Sequence, residues 1–235
     1  MATFVLVHGA WHGGWCWSRV RQALQAEGHE VFTPTLTGLG ERSHLLSREV
    51  DLQTHVDDVA NLLRWEDLTD VVLCGHSYGG CVISGAADQA AKRIGALVYL
   101  DAFVPKDGES VHDMLPPEAR DGQLQSAREF GDGWRVPPIP AEFFNVNTAD
   151  RAWVDSLCTP QPLATFQQGV RIKSGLDAIA NRSFIFAAGW GPSPFHFYED
   201  AKAAGWRTSE ADCGHDVMVD APAFLTRELL AVAPA

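Results

Sequence analysis

Apolar positions along this 235-residue chain follow two alternating rhythms. The first is a short unbroken run: Phe4 to Val7, Val71 to Cys74, Leu97 to Leu100 and Phe184 to Ala188. Runs of that length, rich in β-branched and aromatic residues, predict strands buried on both faces. The second is a spacing of three and four residues. Trp17, Val20 and Leu24 predict a helix over 15–27 that stops at Gly28. Val56, Val59, Leu62 and Leu63 predict another over 52–65. Strands are expected at 3–7, 29–33, 70–74, 95–100, 183–188 and 206–210. Further helices are expected at 80–91, 195–204 and 223–232, with Pro222 near the first turn of the last. Strands alternating with amphipathic helices predict an α/β fold, a mostly parallel sheet flanked by helices on both sides with right-handed crossovers.

The rhythm breaks after Val104. Residues 105–180 hold eight prolines, among them Pro137, Pro138, Pro160 and Pro162, and exposed-looking aromatics. A structureless loop of that length is improbable inside a compact fold. The expectation is therefore a core of 1–104 and 181–235 carrying a helical cap inserted at 105–180, one domain in all. Trp11 and Phe103 from the core, with Trp134, Phe143, Phe144, Trp153 and Phe166 from the cap, are candidates to line an apolar substrate pocket.

Charge narrows the partners. A net charge of −12 argues against nucleic acid and anionic membrane surfaces. No apolar run approaches the ~20 residues of a membrane helix. The first residues lead straight into a strand without a signal-peptide pattern. Five cysteines with no C-x-x-C pair suggest buried free thiols, so a cytoplasmic location is expected. A homodimer is left open.

The chemistry gathers at Gly75-His76-Ser77-Tyr78-Gly79-Gly80. A strand precedes it and a small-residue helix follows, the context of a G-x-S-x-G nucleophile elbow. Such a turn holds the Ser77 hydroxyl up at the carboxyl edge of the sheet, near a helix N-terminus that favours negative charge. A serine needs a base and donors for the oxyanion. His215, in the turn after the last strand, is the candidate base. The Tyr78 amide and one from the loop His8-Gly9-Ala10-Trp11, here Ala10, are the candidate donors. His76 is expected to point away from the base and serve structure. His8 and His12 lie in a Gly-rich loop without a third clustered ligand, so no metal is expected.

Together the loop His8-Gly9-Ala10-Trp11-His12-Gly13-Gly14-Trp15, the elbow and Gly214-His215 resemble the α/β-hydrolase superfamily. They are similar to its branch of plant methyl esterases, salicylate-binding esterase and hydroxynitrile lyases, with their bacterial esterase relatives. The resemblance implies an α/β-hydrolase fold and a cofactor-free Ser-His-acid esterase acting on a small-molecule ester. That branch usually carries its acid after the strand before the last, where this chain reads Ala188-Gly189-Trp190-Gly191-Pro192-Ser193-Pro194. Asp101, at the end of the strand after the elbow helix, is the candidate acid instead, with Glu199, Asp200 and Asp212 as alternatives. Two other functions stay in view. A hydroxynitrile lyase would resemble relatives with a Thr at the position of Gly9 and a Lys at that of Asp216. A ligand-binding protein with vestigial catalysis would resemble the salicylate-binding relatives.

Overall fold

The fully buried runs of the chain form the centre of one sheet. In the computed structural model, which describes residues 1–190 and 196–234, six parallel strands lie in the order β2-β1-β3-β4-β7-β8. They are β1 (Thr3–Val7), β2 (Glu30–Phe32), β3 (Val71–His76), β4 (Ile94–Leu100), β7 (Arg182–Ala187) and β8 (Arg207–Ala211). All six residues of β3 are buried, which is why that run carries no polar alternation. The remaining strands, β5 (Arg135–Val136) and β6 (Gln161–Pro162), pair with each other as a short antiparallel ribbon between β4 and β7.

Helices α1 (Ser18–Ala26), α2 (Leu52–Trp65), α3 (Gly79–Ala90), α8 (Phe197–Ala203), α9 (Val217–Asp220) and α10 (Pro222–Val232) accompany the sheet. Asp51 starts α2 with a capping box, accepting from the Thr54 amide at 2.9 Å. Leu52, Val56, Val59 and Leu63 turn inward on that helix, and Leu62 is half-buried. Four helices rise between β4 and β7: α4 (Val111–Met114), α5 (Pro117–Phe130), α6 (Arg151–Leu157) and α7 (Ala164–Gln167).

Differences from the sequence expectation are mostly at element ends. The helix expected from 15 begins as a 3-10 turn over Gly14–Trp17. The loop expected after Thr35 contains another, Gly40–Leu45. The helix expected from 195 runs over Phe197–Ala203, and residue 195 lies outside the described residues. Helix α9, only four residues long, is too short to leave a periodic trace. No helix among the described residues is long and apolar enough to cross a membrane.

The strand order positions the site. From β1 the chain goes to one side to make β2, then returns past β1 to make β3. Loops leaving β1 and β3 therefore diverge at the carboxyl edge, opening the crevice where α/β sheets bind ligands.

Candidate active site

Three residues with side chains hold positive φ at that carboxyl edge: Trp11 at 64°, Ser77 at 54° and Asp101 at 43°. They follow β1, β3 and β4. Left-handed backbone costs a non-glycine residue about 1–3 kcal/mol when the surroundings impose it. At Ser77 the glycines do the imposing. A Cβ on Gly75 would lie 2.6 Å from the Gly79 carbonyl oxygen, and one on Gly80 would lie 2.1 Å from that of Phe103. The Ser77 amide donates to Leu100 O at 3.2 Å, and the Phe103 amide donates to Ser77 O at the same distance. The elbow and the turn after β4 are thus stitched together.

Asp101 extends that turn toward β7. Its amide donates to Ile185 O at 2.7 Å, and its Oδ1 accepts from the Ala187 amide at 3.3 Å. Its Oδ2 meets His215 Nδ1 at 2.5 Å, with both side chains less than a tenth exposed. A carboxylate on Nδ1 keeps the proton there and leaves Nε2 with its lone pair. The His215 ring packs against two aromatic rings, Phe144 stacked at 5.3 Å and Trp190 at 4.4 Å between centroids, which also touch each other at 5.7 Å. Its own amide donates to Phe144 O at 2.9 Å. The other carboxylates weighed from sequence are exposed: Asp212 beyond β8, and Glu199 and Asp200 on α8.

His76 does not point away from the base, as its place beside Ser77 had suggested. Its ring centroid lies 4.5 Å from that of His215, and its Nε2 donates to the His215 carbonyl at 3.0 Å. Burial pushes its pKa well below the ordinary imidazole range, aided by nearby His215. It is a neutral strut under the His215 backbone.

Behind the site, His12 donates from Nδ1 to the Ala10 carbonyl at 2.8 Å and from Nε2 to Asp216 Oδ2 at 3.0 Å. Two acceptors require two N–H groups, hence an imidazolium. Burial alone would lower its pKa; the charge and hydrogen bond of Asp216 outweigh burial and raise it. His8 is the reverse case. Burial pushes it down to about 3. Its Nδ1 donates to Gly9 O at 2.7 Å, and its Nε2 accepts from the Leu36 amide at 3.0 Å. Among the described residues no group of three or more His, Cys, Asp or Glu is arranged to hold a metal ion.

Ser77, Asp101 and His215 border a cavity of about 750 Å³, together with Ala10 and Tyr78. Trp11, Phe103, Phe143, Phe144 and Phe166 line it, as expected from sequence. Trp134 and Trp153 do not. Trp134 meets the guanidinium groups of Arg48 and Arg135, and Trp153 meets Trp15 and the Arg19 guanidinium. Both are taken up by cation–π contacts away from the cavity. The aromatic residues missed are Phe184 and Phe186 of β7, Trp190, and Phe197 and Tyr198 of α8, and aliphatic ones such as Val111, Leu115 and Ile139 were missed with them. Phe184 and Phe186 share one face of their strand, and the apolar run of β7 looked like core on both faces. The described lining contains no lysine or arginine.

Comparison with known proteins matches residues 4–228 to the model of the alpha/beta hydrolase family. The chain is 47% identical over 242 aligned positions to a carbendazim hydrolyzing esterase of Nocardioides sp. (strain SG-4G), covering 99% of this chain and all of that one. It is 32% identical over 182 positions to salicylic acid-binding protein 2 of Nicotiana tabacum, covering 73% and 67%. Among solved structures, an extracellular alpha/beta-hydrolase from a Paenibacillus species superposes with a TM-score of 0.84 at 25% identity, over 99% of both chains.

Proposed function

The chain belongs to the alpha/beta hydrolase family and is an enzyme of the esterase kind, and from that premise we propose that it cleaves small neutral esters through Ser77, His215 and Asp101. Ser77 Oγ attacks the ester carbonyl while His215 Nε2 takes its proton. Asp101 holds the imidazole by Nδ1 and stabilises the imidazolium that forms. The oxyanion of the tetrahedral intermediate accepts from the Ala10 and Tyr78 amides. His215 then protonates the leaving alcohol. Water, deprotonated by the same histidine, splits the acyl-enzyme and frees the acid.

The observation that carries this reading is the 2.5 Å contact of His215 Nδ1 with Asp101, on the wall of the cavity that Ser77 also borders. The aromatic lining without lysine or arginine supports apolar or aromatic, uncharged substrates. A screen of p-nitrophenyl and methyl esters, with carbendazim added on the strength of the relative's name, tests the range. Fluorophosphonate is expected to label Ser77. Asp101→Asn is expected to lower kcat by about 10³–10⁴, and a rate near that of the wild type would remove Asp101 from the mechanism.

Two features speak against a hydroxynitrile lyase. A Cβ at position 9 would lie 2.8 Å from His76 Nδ1 and 3.1 Å from Ser77 Cβ, so a threonine there has no room. At the position of the lyases' lysine, Asp216 is a buried carboxylate paired with His12. Mandelonitrile cleavage without ester turnover would reverse the ranking. Tight salicylate binding without serine labelling would favour a binding protein.

A further inference from the structure

Ala10 sits between two peptide planes, and side chains grip both. The Gly9 carbonyl, on the plane that carries the Ala10 N–H, is held by His8. The Ala10 carbonyl is held by His12, and the Trp11 N–H of that same plane donates to Gln161 Oε1 at 3.2 Å. His8 and His12 belong to the loop itself. Gln161 comes from the segment between β4 and β7, 150 residues away, and is fully buried.

Trp11 depends on that segment at three atoms. Besides its N–H on Gln161, its carbonyl accepts from the Thr159 amide at 2.8 Å, and its indole Nε1 donates to Val136 O at 3.0 Å. A bulky residue at φ 64° relaxes unless such contacts hold it.

From Gln161 the contacts run on within the same segment. Its Nε2 donates to Thr165 Oγ1 at 2.7 Å, and the Thr165 hydroxyl donates in turn to Pro162 O at 2.7 Å. The Tyr78 hydroxyl donates separately to His55 Nδ1 at 2.8 Å, and His55 Nε2 donates to Thr37 O at 2.8 Å. Gln161, Thr165, Tyr78 and His55 are all buried. A carboxamide suits the first link because it offers an acceptor on one side and donors on the other.

We infer that Gln161 is a positioning residue for ester hydrolysis: from the segment between β4 and β7 its carboxamide, oriented by Thr165, holds the Ala10–Trp11 peptide, so that the Ala10 amide stays aimed at the oxyanion it shares with the Tyr78 amide. The inference rests on the reading of Ala10 and Tyr78 as oxyanion donors. A residue that only packed would, when truncated, lower stability and leave turnover per folded molecule alone. A residue that aims the Ala10 amide acts on the tetrahedral state and not on the planar substrate.

The test uses the full chain, p-nitrophenyl acetate as substrate, phenylboronic acid as a tetrahedral adduct on Ser77, and benzamide as a neutral planar ligand. For Gln161→Leu, kcat is expected to fall about 10- to 100-fold, below the loss of a whole oxyanion donor. KM and the benzamide Ki stay within about twofold, and the boronate Ki rises with the kcat loss. Thr165→Val, which removes the acceptor that orients the Gln161 carboxamide, is expected to lose about three- to tenfold in the same pattern. If Gln161→Leu does not fold, Thr165→Val decides by these criteria. A folded variant with wild-type kcat, or one that loses benzamide and boronate affinity equally, overturns the inference while the wild type still turns over ester. A wild type without serine-dependent turnover overturns the underlying reading and this inference with it.

Discussion

Two carboxylates flank the loop that carries His215, and their surroundings give them different work. Asp101 faces the cavity and holds His215. Asp216 is fully buried, bonded through Oδ2 to His12, whose ring stacks on Trp15 at 5.2 Å. Its Oδ1 has no hydrogen-bond partner among the described residues, with His76 Nε2 3.9 Å away. Burial would raise the Asp216 pKa, but the charge and hydrogen bond of His12 bring it below the usual carboxylate range. The linkage follows from both directions. A depressed carboxylate stabilises the fold above its unfolded pKa near ~4, and a raised imidazole stabilises it below its unfolded pKa near ~6.5. The pair therefore contributes fully between about pH 4 and 6.5, and its contribution fades on either side. Asp216→Asn leaves a buried imidazolium without its counter-ion and is expected to lower unfolding free energy by about 3–5 kcal/mol. Urea titration at pH 6 measures it, and a loss under about 1 kcal/mol would mean that His12 is neutral there.

Glycine has opposite meanings in different elements of this chain. At Gly80, at the start of α3, an added Cβ would lie 2.1 Å from the backbone oxygen of Phe103, which cannot swing away as a side chain can. Gly80→Ala is expected to destabilise by at least about 3 kcal/mol, in the range of overpacked cores, and to separate the elbow from the Asp101 turn. At Gly108, with φ 80° and nothing within 4 Å, alanine meets only the left-handed penalty of about 1–2 kcal/mol. Thermal melts of the two variants side by side check the order, and equal losses would discount the elbow contact. The elbow was legible in the sequence because its constraint is local: strand, turn and helix are neighbours in the chain. The contact of Asp101 with His215 was legible for the same reason, since Asp101 is the polar residue that ends a buried run. Trp134 and Trp153 were misread because an aromatic ring declares its bulk but not its partner, and their arginines lie on other elements. Gln161 left no trace, since a glutamine between two prolines looks like a surface turn until Trp11 is brought against it.

The molecule as a whole buries an unusual set of neutral imidazoles. Burial pushes His8 down to about 3, His55 to about 4 and His76 well below its ordinary value. Each folded-state value lies below the unfolded ~6.5, so each contribution is complete above about pH 6.5 and is lost as pH falls. Three such groups give a slope of up to about 4 kcal/mol per pH unit. His12 runs the other way, but only above about pH 6.5. With ordinary domains stable by roughly 5–15 kcal/mol, that slope is large. The urea midpoint is expected to drop steeply from pH 6.5 to 5, whereas a flat profile would mean that these rings accept protons in place. The contacts of Trp11 reach beyond stability to how such enzymes can be rebuilt. An insert between two strands looks like an exchangeable module, free to vary while the chemistry below stays put. Here Val136, Thr159 and Gln161 of the insert each bond Trp11, one residue from Ala10. A chimera that grafts another cap onto this core inherits a new pocket only if it also reproduces those three anchors, so diversification of the cap is tied to the grammar of the loop it covers.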